Sequence, residues 1–213
     1  MWAVLLDHDI ALGVRRVAGA DEAGRGCLAG PLVAAAVCLD LVGLSRTGHE
    51  ALAGLDDSKR LTPRRRAALV AVVMEHAEQV VVVSCTARTI DADGLHRTNI
   101  AAMTRAIRGI TPAADLALVD GFDLGPHAPP HRKVIKGDAT SAAIAAASII
   151  AKEARDRLMR GPAATAYPEY GFDGHVGYIT ATHKDAVRAN GPSPLHRMSF
   201  QSDAYGEDPR LFP

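Results

Sequence analysis

Apolar positions along the chain fall into short continuous runs separated by longer mixed segments. Residues 14–20 and 31–39 are two such runs, on either side of a turn at Asp21–Gly30, and both predict strands. The second, PLVAAAVCL, is apolar almost throughout, the pattern of a strand covered on both faces. LTPRRRAALVAVVMEHAEQ predicts a helix with Thr62 as N-cap and Pro63 at its first position. Its apolar residues at 69, 70, 73 and 74 share one face. The β-branched run VVVVSCT (80–86) predicts a further strand. Residues 87–110 predict one or two helices, LALVDG (116–121) a short buried strand stopping at Asp-Gly, and HRKVIK (131–136) another strand. SAAIAAASIIAKEARDRLM (141–159) predicts a long helix built of strong helix formers.

Strands thus alternate with helices up to about residue 160, which predicts an α/β unit with a mixed sheet. SRTGHEALAG reads as a surface connection. Beyond Gly161-Pro162 the texture changes. YPEYGFDGHVGY is rich in glycine and aromatics and reads as loop, whereas ITATHKDAVRAN and the segment after Pro192 read as short helices. The expected organisation is a main α/β unit over 1–160, a small C-terminal helical subdomain over 161–205 and a loose tail over 206–213.

Composition narrows this picture. Of 213 residues 48% are hydrophobic but only 4% aromatic, so the core is expected to consist of small side chains, with helices packed close to the sheet. Lys and Arg number 24, as do Asp and Glu. A balanced charge argues against a protein that coats nucleic acid nonspecifically, but leaves room for a local basic groove. Cys27, Cys38 and Cys85 form no C-x-x-C pair, and MWAVLLDHDI is too short and too acidic for a signal peptide or membrane span. The expectation is a reduced, cytoplasmic protein with no membrane association.

Four acidic residues stand where a strand ends or a helix begins: Asp21 and Glu22 after the first strand, Asp120 at the end of LALVD, and Asp138 in IKGDAT ahead of the alanine-rich helix. Ligands of α/β sheets gather at strand ends. Strand neighbours point to opposite faces, so Asp21 and Glu22 are expected to share a site only where the strand breaks, at Gly24 and Gly26. Each acid has a plainer reading: Asp120-Gly121 as a turn pair, Asp138 as a helix cap, Asp21-Glu22 as a solvated turn. Taken together they suit a hard divalent cation, which takes oxygen ligands. Two such ions ~4 Å apart clamp the attacking and leaving oxygens of a phosphoryl displacement.

The stretch GADEAGRGCLAGP resembles the opening signature of the bacterial ribonuclease HII (type 2 ribonuclease H) family. LDDSKRLT (55–62), LVDG (118–121), IKGDATSAAIAAASIIAKEARDR (135–157), YPEYGFDGHVGY (167–178) and SPLHRMSF (193–200) resemble further blocks of that family in the same order. The resemblance covers about 15–202. It implies a ribonuclease-H-like fold, a central mixed sheet flanked by helices, with a C-terminal helical extension. It implies cleavage of RNA in RNA–DNA hybrids and incision 5′ of ribonucleotides embedded in duplex DNA, leaving 3′-OH and 5′-phosphate ends. It places the metal-binding catalytic acids on Asp21, Glu22, Asp120 and Asp138, with Mg2+ or Mn2+ as a two-metal cofactor and no organic cofactor, in a monomer. The family's glycine-arginine-glycine turn falls on Gly24, Arg25 and Gly26, whose backbone would approach the ribose 2′-OH, the group that separates RNA from DNA. Its sugar-packing tyrosine falls on Tyr178. The chain departs from the family in Val176, where lysine is usual, and Ile179, where a small residue is usual.

Lys59, in Asp57-Ser58-Lys59 just before a helix N-terminus, reads as a phosphate contact or a solvated lysine. Arg64-Arg65-Arg66 reads as a solvated helix face ahead of a phosphate site. His183 and His196 are possible backbone contacts. The nine histidines and three cysteines suggest no zinc site. Two other classes stay open on the residues alone. A dinucleotide binder would use Gly24 and Gly26 with Ala29 or Gly30, but PLVAAAV opens with proline and reads as a strand where that mechanism needs a helix. A non-catalytic hybrid-binding module would not need four acids.

Overall fold

A computed structural model describes residues 2–47, 52, 55, 61–200 and 202–205. The chain opens with helix α1 (Trp2–Ile10), followed by β1 (Arg16–Ala23), β2 (Leu32–Asp40), α2 (Leu41–Thr47), α3 (Pro63–His76), β3 (Gln79–Cys85), α4 (Ala87–Asp93) and α5 (Leu95–Arg108). Then come β4 (Leu116–Asp120), β5 (His131–Val134), α6 (Ala142–Leu158), α7 (Ala164–Ala166), α8 (Phe172–His175) and α9 (Ala181–Asn190). The strands form one mixed sheet in the order β3-β2-β1-β4-β5. The pairs β1–β2 and β2–β3 are antiparallel, whereas β1–β4 and β4–β5 are parallel. This is the ribonuclease-H-like arrangement that the resemblance implies.

Side chains alternate across the sheet. Val17, Val37, Leu39 and Leu118 face a layer built on α6, α1 and α3, and Ala18, Ala20, Ala34 and Val119 face α5. The α6 layer lies unusually close, because small residues line both sides. At Gly19 an added Cβ would collide with the backbone of Ala143 and Ile144. The run from Ala142 to Ala151 is buried almost without interruption, so the alanine-rich segment is the central helix of the molecule. Thr62 caps α3 by accepting from the Arg65 amide at 3.3 Å, as its sequence position predicts.

The structure departs from the sequence expectations in several places. Residues 2–10, in a stretch dismissed as a targeting segment and given no element, form α1. Leu5 and Leu6 bury against the core, and the buried Asp9 carboxylate accepts from Ser141 Oγ at 3.1 Å and the Ala143 amide at 3.0 Å. Asp9 thereby satisfies an amide at the start of α6 from 134 residues away. The connection after β2 begins as helix α2. The stretch at 167–178 is not plain loop but contains a 3-10 turn (Pro168–Tyr170) and α8. The segment after Pro192 forms turns, with a 3-10 turn at Asp203–Tyr205 as its one helical piece among the described residues. Arg66 is not solvated. It is 3% exposed and meets Asp156 at 3.0 Å and Glu153 at 3.4 Å, joining α3 to α6, while Arg64 and Arg65 remain exposed.

A third apolar cluster joins Leu28 and Ala29, from the β1–β2 connection, to Met159, Tyr170, Phe172, Val176, Val187 and Tyr205. The helix carrying Met159 runs on through Gly161-Pro162 as a single wide turn, Met159–Ala163, into α7. The C-terminal segment is therefore packed onto the glycine-rich connection.

Candidate active site

Asp120 ends β4 and Asp21 lies two residues before the end of the adjacent parallel strand β1, and the register Ala20 to Val119 brings them side by side. Both have the strand parity that faces α6. Asp21 is 6% exposed, hydrogen-bonded by Ser148 of α6, and its Oδ1 accepts from the Glu22 amide at 2.7 Å. Burial, with the negative charges of Glu22 and Asp120, pushes its carboxyl well above the usual carboxylate range. Asp120 Oδ1 accepts from the Gly137 amide at 2.7 Å. That bond holds the 3-10 turn Gly137–Ala139, which carries Asp138, against the end of β4.

The strand does not break at Asp21-Glu22. β1 stays paired with β2 through Ala23 and Val33, so Glu22 leaves the sheet on the side opposite Asp21. The two acids sit on opposite faces of an unbroken strand, near enough for the Glu22 charge to raise the cost of ionising Asp21. Glu22 Oε1 lies 3.7 Å from Arg25 Nε, and the Arg25 guanidinium rests over the Phe122 ring at 4.7 Å.

Asp21, Glu22 and Asp120 are thus brought into one electrostatic cluster, with Asp138 one residue from the amide that binds Asp120. Among the described residues no three His, Cys, Asp or Glu side chains enclose a metal position by themselves. Mg2+ does not ask for such a cage, since one or two carboxylates, waters and substrate phosphates suffice. The donors are all oxygen, and the mutual repulsion that disfavours ionised Asp21 is what a bound cation relieves. The residues fit a hard divalent ion on both counts.

A cleft of about 270 Å³ adjoins the acids, lined by Glu22, Ala23, Gly24, Arg25, Gly26, Ser148, Lys152 and Tyr178. Gly24 and Gly26 play different parts. Gly24 has φ +94°, and a Cβ there would strike Arg155 and the Pro31 carbonyl. At Gly26 a Cβ meets nothing within 4 Å, so its bare backbone faces open space. Tyr178 is 41% exposed across the cleft, with Lys152 Nζ 5.1 Å from its ring centre. Lys59 lies outside the described residues.

Reading the sequence missed three basic residues that build this cleft. Arg155 is fully buried and donates to the carbonyls of Pro31 (3.0 Å), Val176 (2.9 Å) and Ala29 (3.0 Å). Arg197, also fully buried, donates to Gly30 O through Nε (3.1 Å) and Nη2 (2.9 Å), and to Arg25 O at 3.0 Å. Lys152 lines the cleft itself. Val176, the family departure, is buried at φ 44° and supplies only a carbonyl, to Arg155, so no cation reaches the cleft from that position. The other departure, Ile179, is 46% exposed beside Tyr178. All three basic residues belong to blocks that carried the resemblance, but an arginine among helix formers reads as solvated until its carbonyl partners are known.

His183 and His196 are buried and joined Nε2 to Nε2 at 3.0 Å. His183 Nδ1 donates to Tyr178 O at 2.8 Å, and His196 Nδ1 accepts from the Ser193 amide at 2.9 Å. The His196 Nε2 hydrogen therefore points at His183 and both rings are neutral. Each ring does hold backbone, His183 at Tyr178 and His196 at Ser193. His127 and His131 stand four residues apart, but both His131 ring nitrogens are engaged, Nε2 by Leu124 N (2.9 Å) with Asp123 Oδ1 at 3.4 Å, and Nδ1 by Pro129 O (2.9 Å).

Comparison with known proteins adds a further finding. The family model described as ribonuclease HII matches residues 18–203. A ribonuclease HII of Brucella suis is 49% identical over 190 residues, covering 88% of this chain and 83% of that protein. The crystal structure of ribonuclease H2 from Pyrococcus horikoshii OT3 superimposes with a TM-score of 0.75 at 25% identity, over 92% of this chain and 98% of that one. An RNase HIII solved in complex with Mn2+ has a TM-score of 0.68 at 20% identity, over 91% of this chain and 69% of that one.

Proposed function

Since the chain belongs to the ribonuclease HII family, we propose that it is a metal-dependent endoribonuclease. It hydrolyses the RNA strand of RNA–DNA hybrids and incises duplex DNA 5′ of an embedded ribonucleotide. The observation that carries this reading is the buried Asp21, under the charges of Glu22 and Asp120, beside a cleft lined by Glu22, the Gly24–Gly26 backbone and Tyr178.

Asp21, Glu22, Asp120 and Asp138 hold Mg2+ or Mn2+, the metal named for the RNase HIII neighbour. Ions bound there supply water activation and charge neutralisation at the leaving 3′-oxygen, giving 3′-OH and 5′-phosphate ends. The chain's own residues do the rest. The Gly24–Gly26 backbone approaches the ribose, because Gly26 carries no side chain on its open side. Arg25 is steadied by Glu22 and Phe122. Tyr178 packs on the sugar after the ribonucleotide, where a 2′-OH would crowd the ring. Lys59 adds a phosphate contact. No serine or histidine attacks, and His183 and His196 are spent on each other and on backbone groups. Among the described residues no helix is long and apolar enough to cross a membrane. The protein works as a cytoplasmic monomer on hybrid and ribonucleotide-containing duplexes, in ribonucleotide excision repair, with no zinc and no organic cofactor.

Incubation with duplex DNA carrying one ribonucleotide, with Mg2+, with Mn2+ and with EDTA, tests the reading. A single 5′ incision that requires the metal is expected. Cleavage in EDTA, or none in either metal, overturns it.

A further inference from the structure

Lys152 is the one cleft-lining lysine among the described residues, and the chemistry assigned above does not use it. It stands on α6 four residues after Ser148, so the two share one helix face. Ser148 bonds to Asp21, so Lys152 stands one helical turn beyond the residue that touches the acid cluster, with its ammonium 5.1 Å from the Tyr178 ring centre.

Its ion pair is shared. Nζ lies 2.7 Å from Asp156 Oδ1, but Asp156 also meets Arg66 at 3.0 Å and Arg160 at 3.6 Å. Glu153 meets Arg157 at 2.9 Å and Arg66 at 3.4 Å. Lys152 thus shares the Asp156 carboxylate with Arg66 and Arg160. The buried Asp156 carboxylate keeps Arg66 when Lys152 turns away, so it is not stranded. Arg25, the other cleft cation, is held by Glu22 and Phe122. The cleft is therefore lined by Glu22, by the Gly24–Gly26 backbone with Arg25, and by Ser148, Lys152 and Tyr178.

We propose that Lys152 is a substrate-positioning residue that binds a backbone phosphate of the strand seated in the cleft, on the Tyr178 side of the acids. The inference rests on the nuclease reading above. An ammonium is a mobile point charge suited to a phosphate oxygen, and its contact is independent of base sequence. The exchange of Asp156 for phosphate leaves Tyr178 free to meet the sugar.

Equilibrium binding of a fluorescent all-DNA duplex, followed by anisotropy in Mg2+ across a salt series, needs no cleavage and reads the phosphate contact directly. Lys152→Met is expected to weaken binding about five- to tenfold and to reduce the slope of log K against log salt by about one. Lys152→Arg should retain the slope. Thermal melts of both variants separate loss of the Asp156 pair from loss of the contact. A Lys152→Met protein that binds with the wild-type slope and affinity overturns the proposal, whatever its melting temperature. So does a Lys152→Arg protein whose slope falls as far as that of Lys152→Met. Wild-type incision of a ribonucleotide duplex, run in parallel, tests the underlying reading separately. If the wild type neither incises nor binds, both fall.

Discussion

Arg197 Nη1 donates to the carbonyl of Arg25 at 3.0 Å, across 172 residues of sequence. The same guanidinium donates twice to Gly30 O, so one buried side chain pins both ends of the turn that faces the cleft. The guanidinium loses most of its water to do so, which lowers its pKa to about 10. It still carries its charge at neutral pH. The C-terminal segment is therefore the brace of the candidate site.

Removing that brace should be costly. Arg197→Ala leaves two carbonyls without donors, at about 1–3 kcal/mol each. A loss of about 3 kcal/mol lowers Tm by roughly 6–12 °C in a chain of this size. Differential scanning calorimetry checks it. A melting temperature equal to the wild type would show that the turn holds itself.

The two glycines should separate by their surroundings. Gly24→Ala forces a Cβ into Arg155 at φ +94° and should destabilise the fold. Gly26→Ala finds open space, so Tm should stay near the wild type while ribonucleotide incision falls roughly tenfold or more. Equal melting temperatures for the two variants would contradict this division.

Burial and the neighbouring charges of Glu22 and Asp120 push the Asp21 carboxyl well above the usual carboxylate range, so its charge is costly without a cation. Asp21→Asn should abolish cleavage while keeping or raising stability without metal. Mg2+ should raise the Tm of the wild type and leave that of the variant unchanged. A variant that melts lower in EDTA than the wild type would mean that Asp21 stabilises the fold rather than the metal.

The histidine pair makes stability depend on pH. Burial holds His183 and His196 down to about 4 from an ordinary 6.5. The unfolded chain binds protons near 6.5 and the folded chain only near 4, so stability is full above 6.5 and declines as pH falls toward 4. Each histidine adds a slope of up to about 1.4 kcal/mol per pH unit. Urea midpoints between pH 7 and pH 4.5 measure it, and His196→Gln should flatten the curve. A His196→Gln slope as steep as the wild type would assign the decline to other groups.

Tyr178→Ala should lose more rate on a duplex with one ribonucleotide than on a long hybrid. The scale is about 1–3 kcal/mol by analogy with base stacking. Single-turnover rates on the two substrates decide it, because equal losses would make Tyr178 a packing residue.

Local sequence was enough for whatever depends on neighbours along the chain. The alternation of apolar runs marks every strand to within two or three residues, and Thr62-Pro63 marks the start of α3. The unbroken alanine run announces a buried helix, and the ordered blocks announce the family. Tertiary structure decided what depends on partners far along the chain. Strand pairing through Ala23 separates Asp21 from Glu22 by face, although their adjacency suggested a break between them. Arg66 reads as a surface charge beside Arg64 and Arg65, until α6 brings Asp156 and Glu153 to meet it. Residues 2–10 carry little helical signal alone and become α1 because Leu5, Leu6 and Asp9 find the core and the start of α6. Arg155, Arg197 and Lys152 look alike in the sequence. Two are buried under carbonyls and one faces the cleft, because what a charged side chain does is set by the dielectric and the acceptors around it, and only the folded chain supplies those.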